Sequence, residues 1–236
     1  MNLDKENPIS RFNGKESDEY KYFANDFRRE RERQWLSVFS QVAPIILLPD
    51  VKSVLEFGSG RDISSSLIKH FGITHHSVDV SDRFFPDTVS SIADYPFEGE
   101  THDFVCSFQC LEHNPLEEVS ALVQHMAQFT NKYLYFSLPY SGGWFSLSLS
   151  LRLPKFSLQK SFYKTFDSLG GRRINTEPFY KRPENQRYDP HWWEVGRPGT
   201  SKKHIVKMFE DCGLKLNQSH HNSLFPHHIF LLFEKK

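Results

Sequence analysis

The stretch Lys52-Ser-Val-Leu-Glu-Phe-Gly-Ser-Gly-Arg-Asp62 is the part of the sequence from which the fold is best read. Its first half has strand character over Ser53 to Glu56, and a glycine turn, Gly58-Ser-Gly60, leads at once into an amphipathic helix. Two glycines let a ligand lie against the backbone, and the helix N-terminus directs unpaired N–H groups at that ligand. The stretch therefore predicts a binding turn for a nucleotide-like ligand. The apolar face of the helix consists of Ile63, Leu67, Ile68 and Phe71.

Gly-x-Gly alone also fits an ordinary strand-to-helix turn. Acidic residues near this turn strengthen the prediction of a nucleotide-like ligand. The dinucleotide-binding fingerprint would need a third glycine where Ile63 stands. Glu56, however, lies at the end of the first strand, and Asp79 ends a second strand about 20 residues after the turn. An acid at this second position is placed to accept hydrogen bonds from ribose hydroxyls.

Three motifs together resemble those of the class I S-adenosylmethionine (SAM) dependent methyltransferases. Val54-Leu-Glu-Phe-Gly-Ser-Gly60 is similar to the first motif of that family, and Ser77-Val-Asp79 is similar to the second. Asp103-Phe-Val-Cys-Ser-Phe-Gln-Cys-Leu-Glu-His113 resembles the fourth-strand motif of members that methylate small molecules. The resemblance spans roughly Val51 to Pro139.

The resemblance implies SAM as the cofactor and a set of cofactor-binding residues. The segment Ser91-Ile-Ala-Asp-Tyr-Pro-Phe97 departs from the family pattern, because Ser91 stands where an acid is expected and Asp94 lies three residues later. Ile92 still fits the position whose backbone amide contacts the adenine. The implied cofactor-binding residues are Glu56, Gly58, Ser59, Gly60, Asp79, Val80, Ser91, Ile92, Ser107, Phe108 and Gln109.

Strands that alternate with helices predict an α/β fold with a Rossmann-like, doubly wound sheet of about seven strands. Phe104–Phe108 is apolar enough for a central parallel strand, Lys132–Leu138 is a further strand, and Asn114-Pro115 begins the helix between them. A helix from Thr200 or Ser201 to Gly213 precedes two final strands. The sheet is expected to be mostly parallel. The resemblance implies that the last strand is antiparallel and lies between the fifth and the penultimate strand.

The chain divides into an N-terminal arm and helical cap over residues 1–50 and a methyltransferase domain over 51–236. A helix is predicted from Tyr22 to Val42, because Phe23, Phe27, Trp35 and Phe39 recur at multiples of four. Residues 141–198 lose the strand–helix alternation and are rich in aromatic and basic side chains, which suggests an acceptor-binding insertion. Its basic residues, which favour a phosphorylated or acidic acceptor, are Arg152, Lys155, Arg172, Arg173, Lys181, Arg182 and Arg187.

The composition limits the partners of the protein. Lys plus Arg and Asp plus Glu are balanced at 29 each, so no net field draws the chain to nucleic acid or to an anionic membrane, although local basic patches are compatible with it. No apolar run reaches the roughly 20 residues that span a bilayer. The three cysteines form no Cys-x-x-Cys pair, and no secretory signal is apparent. We expect a cytoplasmic monomer or homodimer.

Four residues are candidates for catalysis. His113 follows the fourth strand, Tyr140 follows the fifth, and His191 and Glu194 lie in the Trp-rich part of the insertion. Histidine titrates near neutral pH, so we hypothesise that His113 or His191 takes the proton of a hydroxyl or amine acceptor. Glu112 and His113 also fit a purely structural role in the strand-to-helix turn. Neighbouring histidines such as His75-His76 point to opposite faces of a strand, so no metal site is predicted.

Function is therefore predicted as methyl transfer from SAM to an oxygen or nitrogen atom of a small-molecule, glycan-linked or lipid-linked acceptor. A degenerate methyltransferase fold that serves as a binding module is an alternative, supported by Ser91 in the place of an acid. A nicotinamide-dependent oxidoreductase is a further alternative, which Ile63 at the third glycine position disfavours.

Overall fold

The computed structural model describes residues 31–60, 63–167 and 191–236, and the elements named here lie within those ranges. The strands are β1 (Ser53–Phe57), β2 (Thr74–Asp79), β3 (Thr88–Val89), β4 (His102–Phe108), β5 (Thr130–Pro139), β6 (Gly143–Leu153), β7 (Phe156–Phe166), β8 (Leu214–Asn222) and β9 (Phe225–Lys235). The helices are α1 (Arg31–Leu47), α2 (Ile63–His70), α3 (Leu116–Met126) and α4 (Lys202–Asp211). An α-helix separates β1 from β2 and another separates β4 from β5, whereas one α-helix follows residue 139 in the described ranges.

Seven of the strands form one sheet in the order β3-β2-β1-β4-β5-β9-β8. The five strands from β3 to β5 in this order run parallel, whereas β9 pairs antiparallel with both β5 and β8. The fold prediction is therefore confirmed, including the antiparallel last strand between the fifth strand and the penultimate one. The carboxyl ends of β1, β2 and β4 lie at one edge, since Phe57 is in register with both Val78 and Ser107. Ligands of doubly wound sheets bind at that edge.

Alternate residues of the central strands enter two separate hydrophobic cores, one on each face of the sheet. Leu55 and Phe57 of β1 belong to the core that contains Val123 of α3 and Phe209 of α4. Val54, which precedes Leu55 in the strand and points to the opposite face, belongs to the core that contains Ile68 of α2. This alternation is what a central strand with helices on both faces requires.

The N-terminal helix differs from its prediction in extent and in the face that it buries. It continues to Leu47 and includes Pro44. Val38, Val42 and Ile45 pack against the sheet, whereas Trp35 and Phe39 are exposed. The aromatic spacing of four therefore marks an outer face of this helix. Phe23, Phe27 and the predicted arm over residues 1–19 lie outside the described residues, and the boundary at residue 50 stays a prediction.

The predicted insertion contains a second sheet that the sequence reading did not identify. Strands β6 and β7 pair antiparallel in an unbroken register from Gly143↔Phe166 to Leu153↔Phe156. Residues 168–190, with Arg172, Arg173, Lys181, Arg182 and Arg187, lie outside the described residues. No helix in the described part of the chain has the length and apolar character needed to cross a membrane.

His221 of β8 predicts a loss of stability in acid. Burial lowers the pKa of His221 to about 4, whereas an unfolded histidine has a pKa near 6.5. The unfolded state therefore binds the proton first as the pH falls. We expect His221 to reduce the free energy of unfolding by about 3 kcal/mol between pH 7 and pH 4.

Urea denaturation at both pH values tests this expectation. The His221→Phe variant should lose less stability than the unsubstituted protein by about that amount. His204→Phe alters an exposed histidine of α4 and serves as the control, with an unchanged acid loss. Equal losses in the unsubstituted protein and His221→Phe would show that another group governs acid unfolding.

Candidate active site

The turn after β1 provides the backbone surface that the sequence predicted for a ligand. The Gly58 N–H donates to the Val78 carbonyl at 2.8 Å, and φ is 74° at Gly58 and 51° at Gly60. A Cβ on Gly58 would lie 2.4 Å from the Cys110 Sγ, whereas a Cβ on Gly60 would have no neighbour within 4 Å among the described residues. The turn is therefore closed towards β4 at Gly58 and open at Gly60. An open glycine beside an acid fits the ribose and amino-acid part of SAM.

Asp79 lies directly beside this open glycine. Its carboxylate accepts hydrogen bonds from the Gly60 N–H and the Ser81 N–H, both at 2.9 Å. The next residue, Val80, is exposed. Asp79 therefore lies where a ribose bound at the turn would meet a hydrogen-bond acceptor.

Glu56 is placed on the other side of the turn, inside the protein. Its carboxylate accepts hydrogen bonds from the Ser64 hydroxyl at 2.9 and 2.7 Å and contacts the His75 Nε2 at 2.8 Å. These contacts connect β1 to α2 and to β2. A direct cofactor contact by Glu56 stays a prediction, and the observed contacts show a structural role.

The remaining predicted cofactor residues are Ser59 in the turn after β1, Ser91 and Ile92 after β3, and Ser107, Phe108 and Gln109 in or just after β4. The Ser91 hydroxyl donates to the Asp94 carboxylate at 2.6 Å, so the acid that the family pattern expects at position 91 is replaced by a hydroxyl–acid pair. Gln109 has a positive φ of 53° and donates from its Nε2 to the Ser137 hydroxyl at 3.2 Å. The other members are all buried, namely Ser59, Ile92, Ser107 and Phe108.

A buried acid lies in the short 3₁₀ turn Leu111–His113 that follows β4. Glu112 is fully buried, and neither carboxylate oxygen has a hydrogen-bond partner in the part of the chain that the structure describes. Burial raises the pKa of Glu112 to about 7, although His191 acts in the opposite direction. A buried carboxylate without partners is costly, so its position requires an explanation.

His191 faces this acid and is held by a second one. Its Nδ1 lies 2.9 Å from the Glu194 Oε1, and its Nε2 lies 3.9 Å from the Glu112 Oε1. The Arg197 guanidinium donates to the other oxygen of Glu194 at 3.1 and 3.3 Å. Burial acts to raise the pKa of Glu194, but the hydrogen bonds from His191 and Arg197 hold it below its usual value. Glu194 is thus an anion that orients His191 towards Glu112.

Backbone contacts fix the relative position of these two loops. The Trp192 N–H donates to the Glu112 carbonyl at 2.8 Å, and the Trp193 indole N–H donates to the Asn114 carbonyl at 3.1 Å. Trp193 is buried by this contact, so it belongs to the core of the site. These contacts of Trp192 and Trp193 therefore hold His191 in place beside Glu112.

The structure brings His113 and His191 together at the same place. Their ring centroids are 5.2 Å apart, and His113 is exposed. One ligand atom from each of Glu112, His113 and His191 lies within 4.8 Å of the others, a spacing that would also suit a metal ion. The sequence predicted no metal site, because adjacent histidines point to opposite faces of a strand and no zinc signature or carboxylate cluster accompanies them. His191 is distant in sequence from Glu112 and His113, so this group forms only in the folded chain.

Tyr140, which follows β5, packs against β8. Its side chain is buried, its ring centroid is 4.7 Å from that of His221, and burial raises its pKa. A Cβ on Gly142 would lie 2.3 Å from the Tyr140 hydroxyl. Tyr140 therefore supports the base of the β6–β7 hairpin, and a catalytic role for it stays a prediction.

The sequence reading missed Arg197 and did not select Glu112 as catalytic, although both lie within three residues of a predicted site residue.

The buried acid predicts a stability cost at alkaline pH. The pKa of Glu112 is raised from 4.5 to about 7, so the folded state holds a proton that the unfolded state releases in this range. Stability therefore falls as the pH rises through this range. We expect Glu112→Gln to be more stable than the unsubstituted protein by about 3 kcal/mol above pH 8, and nearly equal to it near pH 4.5.

Chemical denaturation at the two pH values measures this difference. Glu118→Gln alters an exposed acid of α3 and should have the same small effect at both pH values. A Glu112→Gln variant that is no more stable at high pH would mean that the carboxylate has a compensating partner.

Comparisons with known proteins agree with this geometry. A family model described as a methyltransferase domain matches residues 27–219. Among solved structures, magnesium protoporphyrin IX methyltransferase from Synechocystis PCC 6803 with bound SAH has a TM-score of 0.59 at 14% identity, with 93% of this chain and 95% of that chain covered. The 1,6-didemethyltoxoflavin-N1-methyltransferase of Burkholderia thailandensis has a TM-score of 0.54 at 10% identity, with 92% and 86% covered.

A third solved structure, the complex between the Haloferax volcanii Trm112 methyltransferase activator and the putative methyltransferase, has a TM-score of 0.57 at 12% identity, with 92% of this chain and 96% of that chain covered. At these low identities, the TM-scores show a shared fold and no more. The search of curated proteins found no match. Because the family model covers most of the sequence, the resemblance drawn from the three motifs is confirmed. The chain belongs to the family of SAM-dependent methyltransferases.

Proposed function

We propose that the protein transfers the methyl group of SAM to an oxygen or nitrogen atom of a small-molecule, glycan-linked or lipid-linked acceptor, with His191 as the general base. The observation that carries this proposal is the buried Glu112 carboxylate that faces the His191–Glu194–Arg197 group beside the glycine turn. Cys110 packs against Gly58 of the glycine turn. Glu112 follows Cys110 by two residues, so it lies on the loop next to that turn.

The bound cofactor would supply a methyl group already activated on a sulfonium, so the chain has to align the acceptor, exclude water and accept a proton. His191 Nε2 would take the proton from the acceptor. Glu194 holds the imidazole through Nδ1 and stabilises its charged form, as Arg197 keeps Glu194 ionised. Glu112, ionised above about pH 7, adds a second negative charge 3.9 Å from the same ring.

Residues outside this site support the finer parts of the proposal. The basic residues Arg152 and Lys155 of the hairpin favour an acidic or phosphorylated acceptor. Cys106, Cys110 and Cys212 are free thiols in the structure, which is compatible with a cytoplasmic location. A monomer or homodimer remains the proposed state.

Cofactor binding is tested with Asp79→Ala. Loss of the hydrogen bonds that the ribose hydroxyls would donate to this carboxylate should weaken SAM affinity by about 10-fold to 100-fold, measured by titration calorimetry. Asp82→Ala removes an exposed acid three residues away and should bind SAM as the unsubstituted protein does. Equal affinities of the two variants would place the ribose elsewhere. An unsubstituted protein that binds neither SAM nor its demethylated product would favour the binding-module alternative.

The base is tested with His191→Gln in a methyl-transfer assay. Labelled SAM is incubated with panels of phenols, sugars, amines and glycolipids, and turnover is compared for each acceptor that becomes labelled. Loss of a general base should lower kcat by about 10²-fold to 10⁴-fold with SAM affinity retained. His204→Gln, on the exposed side of α4, is the matched control and should retain full turnover.

Two other outcomes would contradict the assignment. A His191→Gln variant with unchanged turnover at every pH would exclude the histidine as base, and loss in His113→Gln alone would transfer the role to His113. A rate that a chelator abolishes and a divalent metal restores would instead identify Glu112, His113 and His191 as metal ligands.

A further inference from the structure

The β6–β7 hairpin has one strongly apolar face. Residues at alternate positions of a strand lie on the same face, and the cross-strand register places Leu147 opposite Phe162 and Leu151 opposite Leu158. The other face is polar, with Ser150 opposite Gln159. The largest side chains of the apolar face are between 44% and 61% exposed. They are Phe145, Leu147, Leu149, Leu151, Leu153, Phe156, Phe162 and Phe166.

Within the part of the chain that the structure describes, the polar face of the hairpin contacts the main sheet. Tyr163 lies on the polar face opposite Ser146, and its ring centroid is 5.4 Å from that of His221 in β8. The apolar face is therefore directed away from the seven-stranded sheet. This arrangement is the reverse of what burial in the protein core would produce, and such large exposed apolar surfaces mark an interaction site.

The charge of the hairpin has one sign. Residues 143–166 contain Arg152, Lys155, Lys160 and Lys164 but no aspartate or glutamate, in a chain whose formal net charge is +0. Lys160 and Lys164 lie on the apolar face, opposite Leu149 and Phe145. Lysine side chains extend their apolar stems along such a surface while the ammonium group stays in a polar environment.

We propose that the apolar face of this hairpin docks onto the surface of an anionic phospholipid bilayer. Leucine and phenylalanine side chains would enter the boundary between headgroups and acyl chains, and the basic side chains would contact the lipid phosphates. The strands are 11 residues each, or about 37 Å long, but an open two-stranded sheet leaves backbone groups unpaired. The hairpin therefore lies in the interface and does not cross the bilayer.

Charge argues against a second copy of this chain as the occupant. A symmetric pairing of two such faces would bring Lys160 and Lys164 of both copies into one apolar interface without any acid to neutralise them. An anionic lipid surface supplies the complementary charge. The inference uses only the hairpin and does not depend on the proposed acceptor or base.

Flotation of the full-length protein with lipid vesicles tests the proposal. We expect binding to vesicles of phosphatidylcholine mixed one to one with phosphatidylserine, weak binding to phosphatidylcholine alone, and release at high salt. Lys155→Gln, Lys160→Gln and Lys164→Gln should each weaken binding to the anionic vesicles by about fivefold.

A matched pair of double variants separates the two faces. Leu149→Gln with Leu151→Gln should abolish vesicle binding, because both side chains lie on the apolar face. Ser150→Gln with Ser157→Gln places the same residue type on the polar face and should bind as the unsubstituted protein does. SAM affinity, measured on both variants, verifies that the main sheet is folded.

Three outcomes would overturn the proposal. The first is an unsubstituted protein that stays unbound to anionic vesicles. The second is an equal effect of the two double variants on vesicle binding. The third is a stable dimer in sedimentation that only the Leu149→Gln with Leu151→Gln variant dissociates, which would assign the face to a second copy of the chain.

Discussion

The close packing of Gly58 against Cys110 is the constraint on which the arrangement of the site depends. Strands β1 and β4 are adjacent and parallel, so the two loops that follow them leave the sheet side by side. With a Cβ only 2.4 Å from the Cys110 sulfur, no other residue type fits at position 58 without a shift of the β4 loop. The positive φ of 74° at position 58 also favours glycine over other residue types. A single glycine thus places the cofactor turn beside the loop that carries Glu112.

A buried acid without a hydrogen-bond partner is a cost that the fold accepts at this place. The preceding residue, Leu111, is also fully buried. An apolar side chain is therefore compatible with the packing of this turn, and packing alone does not account for an acid at position 112. Elevated carboxyl pKa values and unpaired buried groups tend to occur at functional sites, where stability is exchanged for chemistry. The His191–Glu194–Arg197 group suggests what Glu112 contributes. A carboxylate that ionises near neutral pH would stabilise the protonated form of the imidazole that faces it.

Local patterns predicted the sheet, and long-range contacts decided the site. Val54 to Phe57 reads as a buried strand because both faces of the sheet are covered, and the glycines and Asp79 follow at fixed distances along the chain. Trp35 and Phe39 gave a misleading helix face, since spacing alone does not show which side of a helix meets the sheet. The alternation of leucine and serine from Phe145 to Leu153 was a strand signal that the aromatic and basic composition of the insertion obscured. Glu112 could not be singled out because its environment is completed by a segment about 80 residues later in the chain.

The hairpin and the candidate site share one end of the sheet, and this common position would connect the proposed lipid docking with the proposed catalysis. Strand β6 begins three residues after Tyr140, and Tyr140 forms a backbone bridge with Val195, the residue that follows Glu194. Gly142 and Gly196 both pack closely against the Tyr140 ring, so the base of the hairpin and the loop that carries His191 form one packed unit. A bilayer seated on the apolar face would therefore lie at the carboxyl edge of the sheet, where the acceptor has to approach. An acceptor with a lipid anchor would reach such a site by lateral diffusion in the membrane and would not need to leave it.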